Sequence, residues 1–157
     1  MLTPYFVHEK CDINGYYNNM IYPPSHCKII LRVSWLSAIS GTYALYCQHY
    51  DMALVPYSVF ISSNLYWSRP IFNCNMRYID IVVVISGMSY QIVKSFNSDQ
   101  MSAYLLTIIL AMSFYPISNY YYYQNSWISV ILYSFLHILA NVSNIILYQS
   151  NIHVVKK

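Results

Sequence analysis

The chain has 157 residues, of which 57% are hydrophobic and only 8% charged, whereas a soluble globular domain carries about 25% charged residues. It lacks the polar side chains to cover a water-facing surface. Its net charge of +3 is small and scattered, which excludes the basic stripe that holds nucleic acid.

Residues 1–27 are polar and broken by Pro4, Gly15, the Asn18, Asn19 pair and Pro23, Pro24. They predict an interfacial or loosely ordered tail. No apolar core followed by small residues marks a cleavable signal peptide, so the first hydrophobic segment is expected to act as the insertion signal.

That segment is IILRVSWLSAISGTYALYCQ, residues 29–48. At about 1.5 Å per residue it spans roughly 30 Å, the thickness of a hydrocarbon core. Arg32 stands one turn inside and can snorkel outward. The second run, residues 52–67, is shorter and contains Pro56, so it predicts a kinked or tilted span. The third, from Tyr78 to about Phe96, opens YIDIVVVISGMSY. The fourth, from Met101 to about Ser118, has Pro116 where a break is expected. NYYYYQN follows, and its tyrosines suit the headgroup region. The fifth runs from Ser126 to Tyr148.

The fold predicted is all-α, a polytopic transmembrane helix bundle over residues 28–148 with about five spans. Four remain if the Met52 segment fails to cross. Residues 149–157 form a short basic tail. Short connections make consecutive helices neighbours in an up-and-down bundle. With only three Gly in the chain, Ser and Ala are expected wherever helices approach closely.

Five crossings place Lys10, Lys28, Arg32, Arg69 and Arg77 on one side and Lys94, Lys156 and Lys157 on the other. The bias puts the N-terminus in the cytoplasm. Cys11, Cys27 and Cys74 then face a reducing compartment and Cys47 lies near the opposite face, so no disulfide is expected. The four Cys fit no zinc spacing.

Ionisable and strongly polar residues inside a membrane segment are costly and usually face the bundle interior with a partner. Three groups qualify. In the fifth span Ser134, His137, Asn141 and Asn144 follow at intervals of three, four and three, which puts them on one helix face. The opposite face carries Ile128, Leu132, Leu139 and Ile146. Such a face either bonds to neighbouring helices, each contact contributing about 0.5 to 2 kcal/mol, or builds a site. Asp80 opens the third span three residues after Arg77, so an exposed interfacial pair with Arg77 is one reading. Ser58, Ser62, Ser63 and Asn64 lie in the second span, where serines commonly bond back to their own backbone. The site reading joins Ser63, Asp80 and His137 in the interior.

The stretches SSNLYW, RYIDIVV and HILAN together resemble the alkaline ceramidase and adiponectin receptor superfamily of membrane hydrolases. In that family a Ser is followed four residues later by a His, an Asp lies on the next helix, and the last helix carries His-x-x-x-His. This sequence keeps Ser63, Asp80 and His137. It has Trp67 and Asn141 where two of the family's His ligands stand, and about five helices against the family's seven. The resemblance implies a zinc-dependent amide hydrolase acting on lipid, or its inactive remnant, with His137 the remaining metal ligand.

Two principal expectations follow. The first is a small, non-catalytic, multi-pass membrane protein without a cofactor, whose partners are the lipid bilayer and another membrane helix or a second copy. The alternative is the zinc hydrolase just described. A transporter or pore is a third class, and it would need an oligomer to line a wet path.

Overall fold

Five helices succeed one another along the chain: α1 (Pro24–Tyr46), α2 (Tyr50–Ser68), α3 (Asn75–Ser95), α4 (Met101–Tyr122) and α5 (Ser126–Gln149). They belong to a computed structural model that describes residues 21–68, 70, 71 and 74–151. Most of the polar tail, Arg69, Lys156 and Lys157 lie outside the described residues, as do Cys11 and the last six positions of the basic tail. Cys27, Cys47 and Cys74 are free thiols.

Local chemistry sets the helix ends. Pro24 occupies the first turn of α1, where the missing N–H costs nothing and the fixed φ suits a helix. At its other end Gln48 takes a φ of 64°. His49 N–H reaches the Ala44 carbonyl at 2.9 Å and Gln48 N–H the Leu45 carbonyl at 3.0 Å. These two bonds make a Schellman stop that reverses the chain within three residues. Asn125 caps α5 by accepting from the backbone N–H of Trp127 at 3.1 Å and of Ile128 at 3.3 Å.

Pro116 does not end α4, where a break is expected from the sequence. α4 continues through Pro116 to Tyr122, so the tyrosine run expected to lie in the headgroup region after the span is largely its last turn. A mid-helix Pro removes one backbone bond. Here the segment beyond it is held sideways: Ser118 Oγ donates to the Ser129 carbonyl at 2.9 Å, and Ser129 Oγ donates to the Ser118 carbonyl at 2.8 Å. α2 likewise passes through Pro56 and reaches 19 residues.

Cross-helix contacts give the directions. Thr42 Oγ1 meets Tyr57 Oη at 2.9 Å, and Asn64 Nδ2 donates to Ser34 Oγ at 3.2 Å. Numbers rise on α1 as they fall on α2, so the two are antiparallel. α4 and α5 are antiparallel too, through Ser118 with Ser129 and the stacked rings of Phe114 and Phe135. α5 returns beside α1 in parallel: Tyr22, just ahead of α1, meets Ser129, Ser40 meets Asn141, and Tyr43 meets Gln149. The helices thus stand in chain order around a ring, closed by α5 against α1, with α3 against α4 the slightest of the packed pairs.

Two apolar clusters occupy the ends of this ring. One gathers Tyr22, Cys27, Ile30, Tyr66, Trp67 and Val130. The other gathers Ala44, Met52, Ala53, Tyr104, Ile108, Ala111, Leu147 and Tyr148. Between them the buried side chains are polar: Ser34, Ser37, Ser40, Ser63, His137 and Asn141. Outside, Leu106, Leu54 and Ile109 are 71%, 68% and 66% exposed. Polar groups inside and large apolar groups outside invert the arrangement of a water-soluble fold.

Three helices, α3, α4 and α5, are long and apolar enough to cross a membrane. The expected count was about five. α1 has 23 residues and α2 has 19, so length is not what sets them apart. Their sequences carry Lys28, Arg32 and Asp51 together with many Ser, which lowers their apolar character.

Candidate functional site

Of the polar face expected on α5, Ser134, His137, Asn141 and Asn144 are all buried. They behave differently from one another. Asn141 is the cross-helix member. Its Oδ1 accepts from Ser40 Oγ at 2.7 Å, and its Nδ2 donates to the His137 carbonyl at 2.8 Å and reaches Ser37 Oγ at 3.4 Å. Ser37 and Ser40 belong to a buried small-residue stripe on α1, with Ser34, Gly41 and Ala44. Small side chains let the two backbones approach, which brings an amide on α5 within reach of hydroxyls on α1.

Ser134 Oγ instead donates to the Val130 carbonyl at 2.8 Å, a bond back to its own helix. His137 packs edge-on against the Tyr133 ring, with centroids 5.2 Å apart. Its Nε2 has no hydrogen-bond partner among the described residues.

Asp80 is 6% exposed, so it is not an exposed interfacial residue. Its Oδ1 accepts from Ser62 Oγ at 2.7 Å and Ser63 Oγ at 2.8 Å. This places the α2 serines opposite the head of α3, and the register continues along both helices. Seven residues earlier on α2 and seven later on α3, Val55 faces Gly87. A Cβ on Gly87 would lie 2.5 Å from Val55 Cγ1. At the far end Asp51 Oδ2 pairs with Lys94 Nζ at 2.6 Å and accepts from Tyr90 Oη at 2.6 Å. The pair ties the first turn of α2, just ahead of its apolar run, to the last turn of α3. The Lys94 hydrogen bond first, and then that of Tyr90, holds the Asp51 carboxyl down at about 2.

The structure therefore joins Ser63 to Asp80 directly. Among the described residues His137 connects to them along a chain of rings: the Trp67 ring, one turn beyond Ser63, has its centroid 5.4 Å from that of Tyr133, and the Tyr133 centroid is 5.2 Å from that of His137. Trp67 and Asn141 occupy the positions where the resembling family has His. Among the described residues no three His, Cys, Asp or Glu side chains gather as a metal site requires. His26 and His49 stand on other parts of the ring. His26 lies against Trp127, and His49 Nε2 is 3.2 Å from the Tyr148 carbonyl.

Some of these contacts had no distinct sequence signal. The stripe Ser34, Ser37, Gly41 and Ala44 carries a helical period that marks the partner face of Asn141. The second hydroxyl on Asp80, that of Ser62, adjoins the expected Ser63. The reciprocal pair Ser118 and Ser129 sits in ordinary spacing. Comparison with protein-family models, curated proteins and solved structures gives no match. The likeness to the membrane hydrolases thus rests on the residues named for it.

Proposed function

We propose that this chain is a small, non-catalytic integral membrane protein in which all five helices are embedded, with the N-terminus on the cytoplasmic side. Its intramembrane polar face serves to hold helices together. The observation that carries this reading is the Asn141 amide on α5, bridged to Ser40 at 2.7 Å and Ser37 at 3.4 Å on α1. Hydrogen bonds of this kind, beside small residues, associate helices where lipid supplies no hydrophobic drive. α1 and α2 cross as the more polar members, shielded because their Ser faces turn inward toward α5 and α3.

Reporter fusions test the topology: five crossings put the two termini on opposite sides of the membrane. Termini on the same side, or release of the protein by alkaline carbonate, would refute it.

The contact of Ser63 with Asp80 favours a second reading, the zinc-dependent lipid amide hydrolase or its remnant. A metal there would activate water for attack on a carbonyl, with His137 as ligand. Metal analysis of the purified protein in mild detergent separates the two readings. Stoichiometric zinc that disappears in His137→Ala supports the hydrolase, and a metal-free, folded protein supports the packing role.

A further inference from the structure

α3 is held unevenly along its length. Near its end Met88 and Ile92 pack against the cluster of Tyr104, Ile108 and Tyr148, and Gln91 Nε2 donates to Tyr148 Oη at 2.7 Å. At its head, among residues 75–82, Asp80 is buried while Met76, Tyr78, Ile79, Ile81 and Val82 are exposed. A short turn joins α3 to α4, so the head of α3 stands at the same end of the bundle as the tail of α4, where Ile117 and Tyr120 also face outward. The seam between these two helices is the slightest of the packed pairs, and it is least supported here, farthest from the turn.

Ile21 and Tyr22, just ahead of α1, lie across this seam. The Ile21 N–H donates to the Pro70 carbonyl at 3.1 Å, in the connection that leads into α3, and the Ile21 carbonyl accepts from Tyr122 Oη at 2.5 Å, at the end of α4. One residue thus ties both sides of the seam. Tyr22 seats it. The Tyr22 Oη donates to Ser129 Oγ at 2.8 Å, since the Ser129 proton goes to the Ser118 carbonyl. Its ring stacks on Trp67 with centroids 6.2 Å apart and meets Tyr122 edge-on at 5.0 Å, and Cys27 Sγ donates to the Tyr22 carbonyl at 3.3 Å. Beside this ring, Trp67 Nε1 and Tyr66 Oη are buried without a hydrogen-bond partner among the described residues. Each bond of the strap is individually weak, so it can part locally while the rest of the bundle stays folded.

We propose that Ile21 and Tyr22 form a latch that keeps the seam between the head of α3 and the end of α4 closed. Its release lets α3 swing about its anchored end and opens the bundle sideways to Trp67 and Tyr66. The latch goes beyond the packing role of α5, and the two fail separately because Asn141 takes no part in it.

The test is maleimide labelling of the full chain in mild detergent, with the rate at each cysteine followed by peptide mass spectrometry. Cys27 belongs to the cluster that holds Tyr22, and Cys74, at the N-cap of α3, packs against it; Cys47 packs against the other cluster. Tyr122→Phe removes the hydroxyl on the Ile21 carbonyl without opening a cavity, and Tyr22→Ala removes the seat. Tyr122→Phe should speed labelling of Cys27 and Cys74 together by about two- to tenfold, and Tyr22→Ala by more, with Cys47 unchanged. If Tyr22→Ala does not fold, Tyr22→Phe, which loses the bond to Ser129, takes its place. An unchanged rate at Cys74 overturns the proposal, whether or not Cys27 speeds up, because α3 then stays in place without the latch. Equal acceleration at all three thiols also overturns it, since the bundle then loosens as a whole.

Discussion

Replacing Gly87 with Ala should loosen α3 from α2. The added Cβ would lie 2.5 Å from Val55 Cγ1, while the next atoms, Val55 Cβ and Cγ2, are 3.6 and 3.8 Å away. Carbon atoms in favourable contact sit about 3.5 to 4.0 Å apart, so a single methyl group must move by about 1 Å. Val55 cannot easily turn it away, because a Val in a helix strongly prefers one rotamer. The helices must separate instead. Overpacking of this kind costs about 1 to 3 kcal/mol, offset by up to about 1 kcal/mol from the better helix propensity of Ala. A net loss of about 1 to 2 kcal/mol is expected, read from unfolding in mild detergent titrated with dodecyl sulfate and followed by circular dichroism. Val55→Ala removes Cγ1 and Cγ2 and leaves Cβ at an ordinary contact distance. The double variant Gly87→Ala, Val55→Ala should therefore recover most of the loss attributable to Gly87→Ala, giving a coupling of about 1 kcal/mol or more. A Gly87→Ala protein as stable as the parent, with additive effects in the double variant, would refute the register that also sets Asp80 against Ser62 and Ser63.

Gln48→Gly should stabilise the protein by about 0.5 to 1 kcal/mol, because the φ of 64° at the end of α1 suits Gly and strains other residues; a lower thermal midpoint would count against it. Acid should weaken the contact between the start of α2 and the end of α3 that Asp51 makes with Lys94. With its carboxyl held at about 2, below the ordinary value near 3.9, the stabilisation is complete above about pH 4 and disappears as pH falls through about 2. The pair is exposed, so the loss should stay under about 1 kcal/mol. It should vanish in Asp51→Asn, and an unchanged acid limb in that variant would refute the assignment. His137→Leu should leave thermal stability within about 1 kcal/mol, since the buried Nε2 has no hydrogen-bond partner among the described residues to lose; a loss above about 3 kcal/mol would place His137 in a coupled site.

Much of this architecture is legible in the sequence because a membrane-type helix advertises itself by composition and period. The face Ser134, His137, Asn141, Asn144 reads directly from spacings of three and four, and all four side chains are buried. Spacing along one helix cannot say which neighbour a side chain meets. Asn141 reaches across to α1, whereas Ser134, on the same face, turns back to Val130 because its short hydroxyl reaches the second lone pair of the carbonyl four residues earlier. Asp80 looked equally suited to an exposed pairing with Arg77, and only the α2 register shows it under Ser62 and Ser63. Pro116 misled by local rule. Proline forbids one backbone bond, but the reciprocal serine bonds of Ser118 with Ser129 belong to a different helix and are invisible along the chain. The resemblance to membrane hydrolases likewise mixes positions that meet, Ser63 and Asp80, with His137, which packs against Tyr133 instead.

The most direct test of helix fastening by the α5 polar face is a double-mutant cycle on Ser40 and Asn141. Ser40→Ala, Asn141→Ala and the double variant are unfolded in mild detergent, and the coupling is taken from the four stabilities. The 2.7 Å bond between these side chains predicts a favourable coupling of about 0.5 to 1.5 kcal/mol, with Asn141→Ala alone costing about 1 to 2 kcal/mol. A coupling near zero, with both single variants as stable as the parent, would contradict the account.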